Sequence, residues 1–405
     1  SDRTRNSRLA MRRLNGHVQH FAWGSRTELP DLLRREPDGR PWAEYWLGTH
    51  PSGPATLADG STLELLVREH PEVLGAATES AYGVQLPFLL KFLSAGSPLS
   101  LQAHPSREQA EAGYARESLL GLPPDDPRRS YKDDWPKPET IVALTPFEWL
   151  IGFRDPQMTA ALFEGLGVGE DLASIIGPLR DRCPYPALQE VFLDVLTLDH
   201  QDERRHLVDV LLSAAVANLD APGELGQFAR TAVELDEHFP GDPGIIAALL
   251  MNRFTLQPGE AIALEAGVMH AYLRGTAVEA MANSDNVVRG GLTKKHIDVD
   301  GLLQVVAFQP MSPEVLIAEG ADGTYVYPTS FPEFELWLMA PVDARTQTMP
   351  RPDSGRIALV ASGDFTLTGD DGPVHLRVGD AVFVAADEQI AVAGHGQLFV
   401  AASGA

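Results

Sequence analysis

The stretch Gly96-Ser-Pro-Leu-Ser-Leu-Gln-Ala-His104 decides how the rest of the chain is read. A glycine, five residues, then two ligands one residue apart is how a hairpin of a metal-binding β-barrel presents its first pair of side chains. Residues i and i+2 of a strand face the same side, so Gln102 and His104 are expected to point inward together. The first of those positions ordinarily holds histidine. Here it holds Gln102, a neutral oxygen donor. The site is therefore either broken or built on an unusual ligand set.

A second stretch favours the latter. Gly259-Glu-Ala-Ile-Ala-Leu-Glu-Ala-Gly-Val-Met-His270 has a glycine, five residues, Glu265 where proline is usual, a second glycine and then a histidine. It resembles the second metal-binding motif of the cupin barrels, as Gly96–His104 resembles the first. The carboxylate completing the first motif falls by distance on Glu108. That residue lies on a predicted helix, because Ser106 and Gln109 have the spacing of a capping box. Glu139, just before the apolar run Thr140–Leu144, is the better candidate, since an inserted helix delays a ligand in sequence but not in space. Gln102, His104, Glu139 and His270 then form a nitrogen and oxygen set. Two imidazoles and a carboxylate suit zinc, and a glutamine carbonyl is a tolerable fourth ligand. A lone histidine on a strand is more often packed than metal-bound; two motif halves that fit one barrel reverse that reading.

Composition narrows the setting. The chain has 405 residues, enough for two or three domains. A net charge of −24 argues against nucleic acid and against an anionic membrane surface. A few placed cations still reverse the field locally, so a small anionic substrate is allowed. One cysteine, Cys183, excludes an internal disulfide and a thiolate zinc site, and points to a reducing, cytoplasmic setting. No uncharged apolar run approaches the roughly 20 residues of a membrane span. Residues 1–10 read as a flexible tail and Met11 as the natural start.

Short apolar runs bounded by turn residues, such as Leu86–Leu93 and Thr140–Leu144, read as strands. Helices near Leu63–Glu69 and Ser106–Ser118 interrupt them. From about residue 156 to 250 the period changes. Leu207, Leu211 and Ala214, then Phe228, Ala232 and Leu235, recur at helical spacing. Strand character returns from Phe254, with Phe334–Met339, Arg356–Val360 and Asp380–Val384 as examples. The expected fold is mainly β, with two cupin-like (jelly-roll) β-barrels and an inserted α-helical domain. The catalytic barrel is assigned to 11–155 plus 251–315, the helical insertion to 156–250 and a C-terminal barrel to 316–405. Gly379–Ile390 repeats the opening of the second motif, but Ile390 stands at the histidine position. The C-terminal barrel is therefore expected to be metal-free.

Further stretches widen the likeness. They are Gln19–Gly24, Ala43–Pro51, Leu86–Leu93, Ser100–Pro105, Lys137-Pro-Glu139 and, longest, His270–Thr293. Together they resemble type I phosphomannose isomerases over almost the whole chain. That resemblance implies interconversion of mannose 6-phosphate and fructose 6-phosphate through a cis-enediol(ate), supplying mannose for sugar-nucleotide and glycan synthesis. It implies one zinc per chain on Gln102, His104, Glu139 and His270. It also implies active-site positions at Lys91, Ser100, Lys137, Tyr272, Glu279, Asp285 and Arg289. Phe21 departs from the family's usual tyrosine, and Thr140 from its common methionine. The helical part carries no motif of the family.

Such an isomerisation needs a base, a cation for the developing oxyanion and a clamp for the phosphate. Zinc supplies Lewis-acid charge. The base stays open among Asp285, Glu279, Lys137 and His50, the last lying in a family-like block. Arg289 is always charged and suits oxyanion or phosphate contact. Lys91 and Ser100 are assigned to the phosphate, with Lys137 as a further charge. Without the resemblance they read as a solvated lysine and a strand serine, although Lys91 interrupts an apolar run. Trp23 and Trp46 read as core in preference to pocket wall, and Lys294-Lys-His296 as a solvated helix start. A monomer acting on a small phosphorylated sugar is expected, without nucleic acid or membrane partners. Two rivals remain. One is another metal-dependent cupin enzyme, since two histidines and a carboxylate also suit Fe(II). The other is a non-catalytic sugar-binding or regulatory cupin, against which Lys137, Asp285 and Arg289 weigh, because a structural metal does not need them.

Overall fold

Two antiparallel sheets, of ten and nine strands, organise the computed structural model, which describes residues 11–198 and 202–405. The expected tail, residues 1–10, lies outside the described residues. The pairings of both sheets trace open, branched paths and close no ring.

The ten-stranded sheet is built around one long strand, His270–Ala282. Its first half pairs with Leu101–Ala103 and Phe147–Phe153, its second with Phe88–Ala95 and Glu139–Ala143. Between the halves Gly275 takes a φ of +131°, and a Cβ there would meet the Pro146 carbonyl at 2.7 Å. The bend is severe. The Tyr272 hydroxyl lies 3.1 Å from a Glu279 carboxylate oxygen, whereas seven residues of straight strand separate α-carbons by about 23 Å. The strand doubles over, and its two halves face each other across one interior.

Alternation decides what reaches that interior. Leu101 and Ala103 turn outward into a core shared with the helices, which includes Phe153, Phe192 and Phe308. Gln102, between them, faces a cavity. Seven helices occupy Pro156–Leu249 among the described residues, and Leu207, Leu211, Phe228, Ala232 and Leu235 are buried on them. Helix Arg107–Leu119 begins with the expected box: Ser106 Oγ accepts from the Gln109 amide, and Gln109 Oε1 accepts from the Ser106 amide.

The nine-stranded sheet carries the C-terminal strands, with one addition. Arg12–Leu14, assigned by sequence to the first barrel, pairs instead with Ala381–Val384. Leu14 is buried in an apolar core common to both sheets, where Tyr45, Phe88 and Phe92 join Phe334, Ile357 and Phe399. That burial fixes the strand on the far sheet. Lys294-Lys-His296 is exposed, as read, but does not start the helix. The helix starts later, at Val299, capped by Asp298. No helix of the described residues is long and apolar enough to cross a membrane.

The internal echo is visible in the backbone. Gly259 and Gly379 have φ of +89° and +87°, and eight residues on Gly267 and Asp387 have +82° and +68°. Strands Ala261–Leu264 and Ala381–Val384 follow the two glycines at the same offset. Ile390 sits in an apolar cluster with Val360, Phe365 and Leu376.

Candidate metal centre

The turn closed by Gly267 delivers His270 to the first position of the bent strand, directly opposite Gln102. Gln102 is in turn opposite Arg289, on strand Val288–Gly291. Paired residues share a face, so His270, Gln102 and Arg289 form a row. His104 follows Gln102 by two residues, and Glu139 opens its own strand nearby. Candidate ligand atoms of His104, Glu139 and His270 lie within 4.8 Å of one another, and all three residues are buried.

The hydrogen bonds identify which ring nitrogens are free. His104 Nδ1 bonds the Asn286 carbonyl at 3.1 Å and His270 Nδ1 bonds the Val268 carbonyl at 3.0 Å. A carbonyl only accepts, so each Nδ1 carries the proton and each Nε2 presents a lone pair. This is how metal-binding imidazoles are held. Burial lowers the pKa of both rings, that of His270 to about 3 with His104 beside it, so both are neutral. His104 Nε2 has no hydrogen-bond donor and faces Glu139 Oε1 at 3.4 Å. Two acceptors point at one spot, an arrangement that a cation resolves. Burial opposes the charge on Glu139, but neighbouring positive charge, that of Lys137 included, holds its carboxyl below the usual range. The residues present fit zinc.

Beside them lies a layer of buried charge. Lys91 Nζ is 2.9 Å from Glu44 Oε2 and 3.6 Å from Glu279 Oε1, and stands over the Trp46 ring. Burial opposes its charge, yet the two carboxylates raise its pKa above the ordinary value. Lys91 is therefore a fixed cation already neutralised. Tyr272 bridges the layers, its hydroxyl 3.1 Å from Glu279 and 3.3 Å from Glu139. Burial and those carboxylates keep that hydroxyl protonated.

A cavity of about 570 Å³ opens from the centre to the surface. Gln102, Ser100, Lys137 and Asp285 line it, with Trp23 and Phe21 on the wall. His50 lies behind Asp285. Its Nδ1 accepts the Ser52 amide, and its Nε2 is 2.9 Å from Asp285 Oδ2. Burial would raise the pKa of Asp285, but the His50 bond and charge bring it to about 2. Arg289, Lys132 and Lys295 stand at the mouth. Among the described residues none of the three pairs with a carboxylate. In a chain of net charge −24, these cations gather positive charge at one place.

The catalytic-domain model of type I phosphomannose isomerases matches residues 11–156. Mannose-6-phosphate isomerase of Escherichia coli (strain K12) is 35% identical over 401 residues, covering 96% of this chain and 98% of the relative. The human enzyme of that name is 31% identical, covering 93% of each. This chain belongs to the type I phosphomannose isomerase family. A solved mannose 6-phosphate isomerase bound with zinc and yttrium superposes with a TM-score of 0.88 at 32% identity, over 97% of this chain and 99% of the other.

Every family-like position named from the sequence converges on this one region. Lys91, Ser100, Gln102, Lys137, Asp285 and Arg289 line the cavity. His104, Glu139, His270, Tyr272 and Glu279 lie buried in the layers around it, and His50 stands behind. Trp46, read as core, is buried but also lines the cavity, and its Nε1 donates to Glu44. Sequence reasoning missed Glu44, Lys132, Asp133, Asn286 and Lys295. Glu44 and Asn286 sit inside quoted family stretches and carried that much signal. Lys295 was read as solvated, and only the fold brings it beside Arg289.

Proposed function

We propose that the chain interconverts mannose 6-phosphate and fructose 6-phosphate, with one zinc held by Gln102, His104, Glu139 and His270. The observation that carries the reading is the pair of neutral imidazoles whose free Nε2 atoms meet Glu139 at the base of a cavity with a cationic mouth. Zinc held there would supply Lewis-acid charge for the isomerisation. The rest falls to the chain's own side chains. Lys91 is already matched by Glu44 and Glu279, so we move the phosphate outward to Arg289, Lys295 and Lys132, with Ser100 and Thr293 as hydroxyl donors. Among the four candidate bases only Asp285 and Lys137 line the cavity. Asp285 is ionised, and we assign it the proton carried between C2 and C1, with the His50 bond fixing the carboxylate's orientation. Lys137, 3.6 Å from Glu139, adds positive charge where the oxyanion develops. Within the same proposal the bent-strand sheet is a cupin-like jelly roll, residues 156–250 an inserted helical domain and 316–405 a metal-free second barrel. The enzyme is taken as a cytoplasmic monomer.

The test is a coupled assay for fructose 6-phosphate formed from mannose 6-phosphate, run as purified, after chelation and after zinc is restored. Turnover lost and then recovered is expected. Turnover indifferent to complete metal removal rejects the zinc reading.

A further inference from the structure

We infer that Asn286, clasped to Asp133, is a positioning residue that sets the metal centre and the cation-bearing loop as one unit. The inference rests on the zinc-site reading above. Asn286 is fully buried and lies between Asp285 and Arg289. Its backbone carbonyl accepts a hydrogen bond from His104 Nδ1–H and so determines which nitrogen of that ring is left for a metal. Its side chain turns the other way, onto the loop that follows Tyr131. Oδ1 accepts the backbone amides of Lys132 at 2.9 Å and Asp133 at 3.3 Å. Nδ2 reaches the Asp133 carbonyl at 2.7 Å, the Trp135 carbonyl at 2.8 Å and Asp133 Oδ1 at 3.0 Å. Two donors face one end of the amide and three acceptors the other, so only one orientation satisfies the site.

The Asp133 carboxylate completes the clasp. It accepts the Asp285 amide, the Ser284 hydroxyl and the Trp135 amide as well as Asn286 Nδ2. The segment bearing Asp285 and Arg289 is thereby tied to the loop bearing Lys132. Downstream the sequence runs Pro136-Lys-Pro-Glu139. Two prolines fix φ on either side of Lys137, so a shift at the clasp passes to Lys137 and Glu139 with little slack. One buried amide thus bears on a metal-ligand tautomer, a metal carboxylate and the phosphate-side cations.

Asn286→Asp keeps the shape and Oδ1 but turns an oxygen toward the three acceptors, which opens the clasp. Zinc affinity is read by competition with a chromogenic chelator, alongside far-ultraviolet circular dichroism and Tm. Outer-shell partners of metal ligands typically contribute 10–100-fold to affinity, and a loss on the order of tenfold or more is expected with secondary structure unchanged. The KM for mannose 6-phosphate should rise at saturating zinc. Asp133→Asn attacks the clasp from its other side, should move both readouts the same way, and serves if the first variant does not fold. A purely structural role would lower Tm alone. Zinc affinity within twofold of wild type in either folded variant overturns the inference. Wild-type protein that takes up no zinc overturns the underlying reading and this inference with it.

Discussion

The turn at Gly259 and the turn at Gly379 are the same backbone put to different uses. Each has a glycine at positive φ, four strand residues, a second positive-φ residue and then a long central strand. In the first, the residue entering the strand is His270, and the interior holds five buried ionisable side chains besides: Glu44, Lys91, His104, Glu139 and Glu279. In the second it is Ile390, and the cluster around it is apolar. The difference teaches that the turn and strand do not require the metal. Around Ile390 apolar packing stands where the ligands stand in the first copy, with the buried Arg356 bonding the Ala385 and Glu388 carbonyls of the turn, while the first copy keeps a cluster of ionisable groups that each need a partner.

The largest expected effect exchanges the chemistry of the two turns. His270→Ala should abolish stoichiometric zinc and lower kcat/KM by roughly a thousandfold or more, the loss of several kcal/mol of charge stabilisation. Ile390→His should leave metal content at one zinc per chain by atomic absorption, because the one carboxylate beside it, Glu388, has no second imidazole in that cluster to complete a site. A second zinc would break the comparison as drawn.

A smaller effect separates proton transfer from anchoring within the first interior. Asp285→Asn keeps an acceptor for His50 and should lower kcat by about a hundredfold or more with KM changed only a few-fold. Arg289→Met should do the opposite, raising KM by about tenfold and weakening the salt dependence of substrate binding. Steady-state kinetics on both variants decide it, and matching profiles would merge the two roles.

The smallest effect belongs to the second sheet. Burial raises the pKa of Glu388 to about 7, against the opposing bond from the Met11 amide. The folded protein then binds a proton that the unfolded chain releases near pH 4.5, so this group's stabilisation is full below that pH and is lost as pH rises toward 7. Glu388→Gln should flatten that decline, raising Tm at pH 7.5 by about 2 °C. An unchanged slope would place the carboxylate in water.

Much of the site was legible because its signals are local. Gln102 and His104 are two residues apart on one strand, and the glycine-bounded turn announces His270. Glu139 required only the recognition that a capped helix intervenes. What escaped depends on register between distant segments. Trp46, Lys91 and Glu279 form one row across three strands, and Glu44, two residues before Trp46, reaches Lys91 at 2.9 Å and neutralises it. Without it a lysine in an apolar run looks free to meet phosphate. Asn286 and Asp133 lie 153 residues apart and meet through polar atoms, which leave no periodicity to read. Likewise the three residues Arg12–Leu14 gave no sign of which sheet they would join.

That strand also sets a clock. Arg12 pairs with Phe383, a partner 371 positions later. At about 5–20 residues per second, a ribosome takes roughly 20–75 s to supply it. The ten-stranded sheet, whose last strand ends at Gly291, has all its members long before then. Synthesis therefore supplies every strand of the ten-stranded sheet before the partner that covers Leu14.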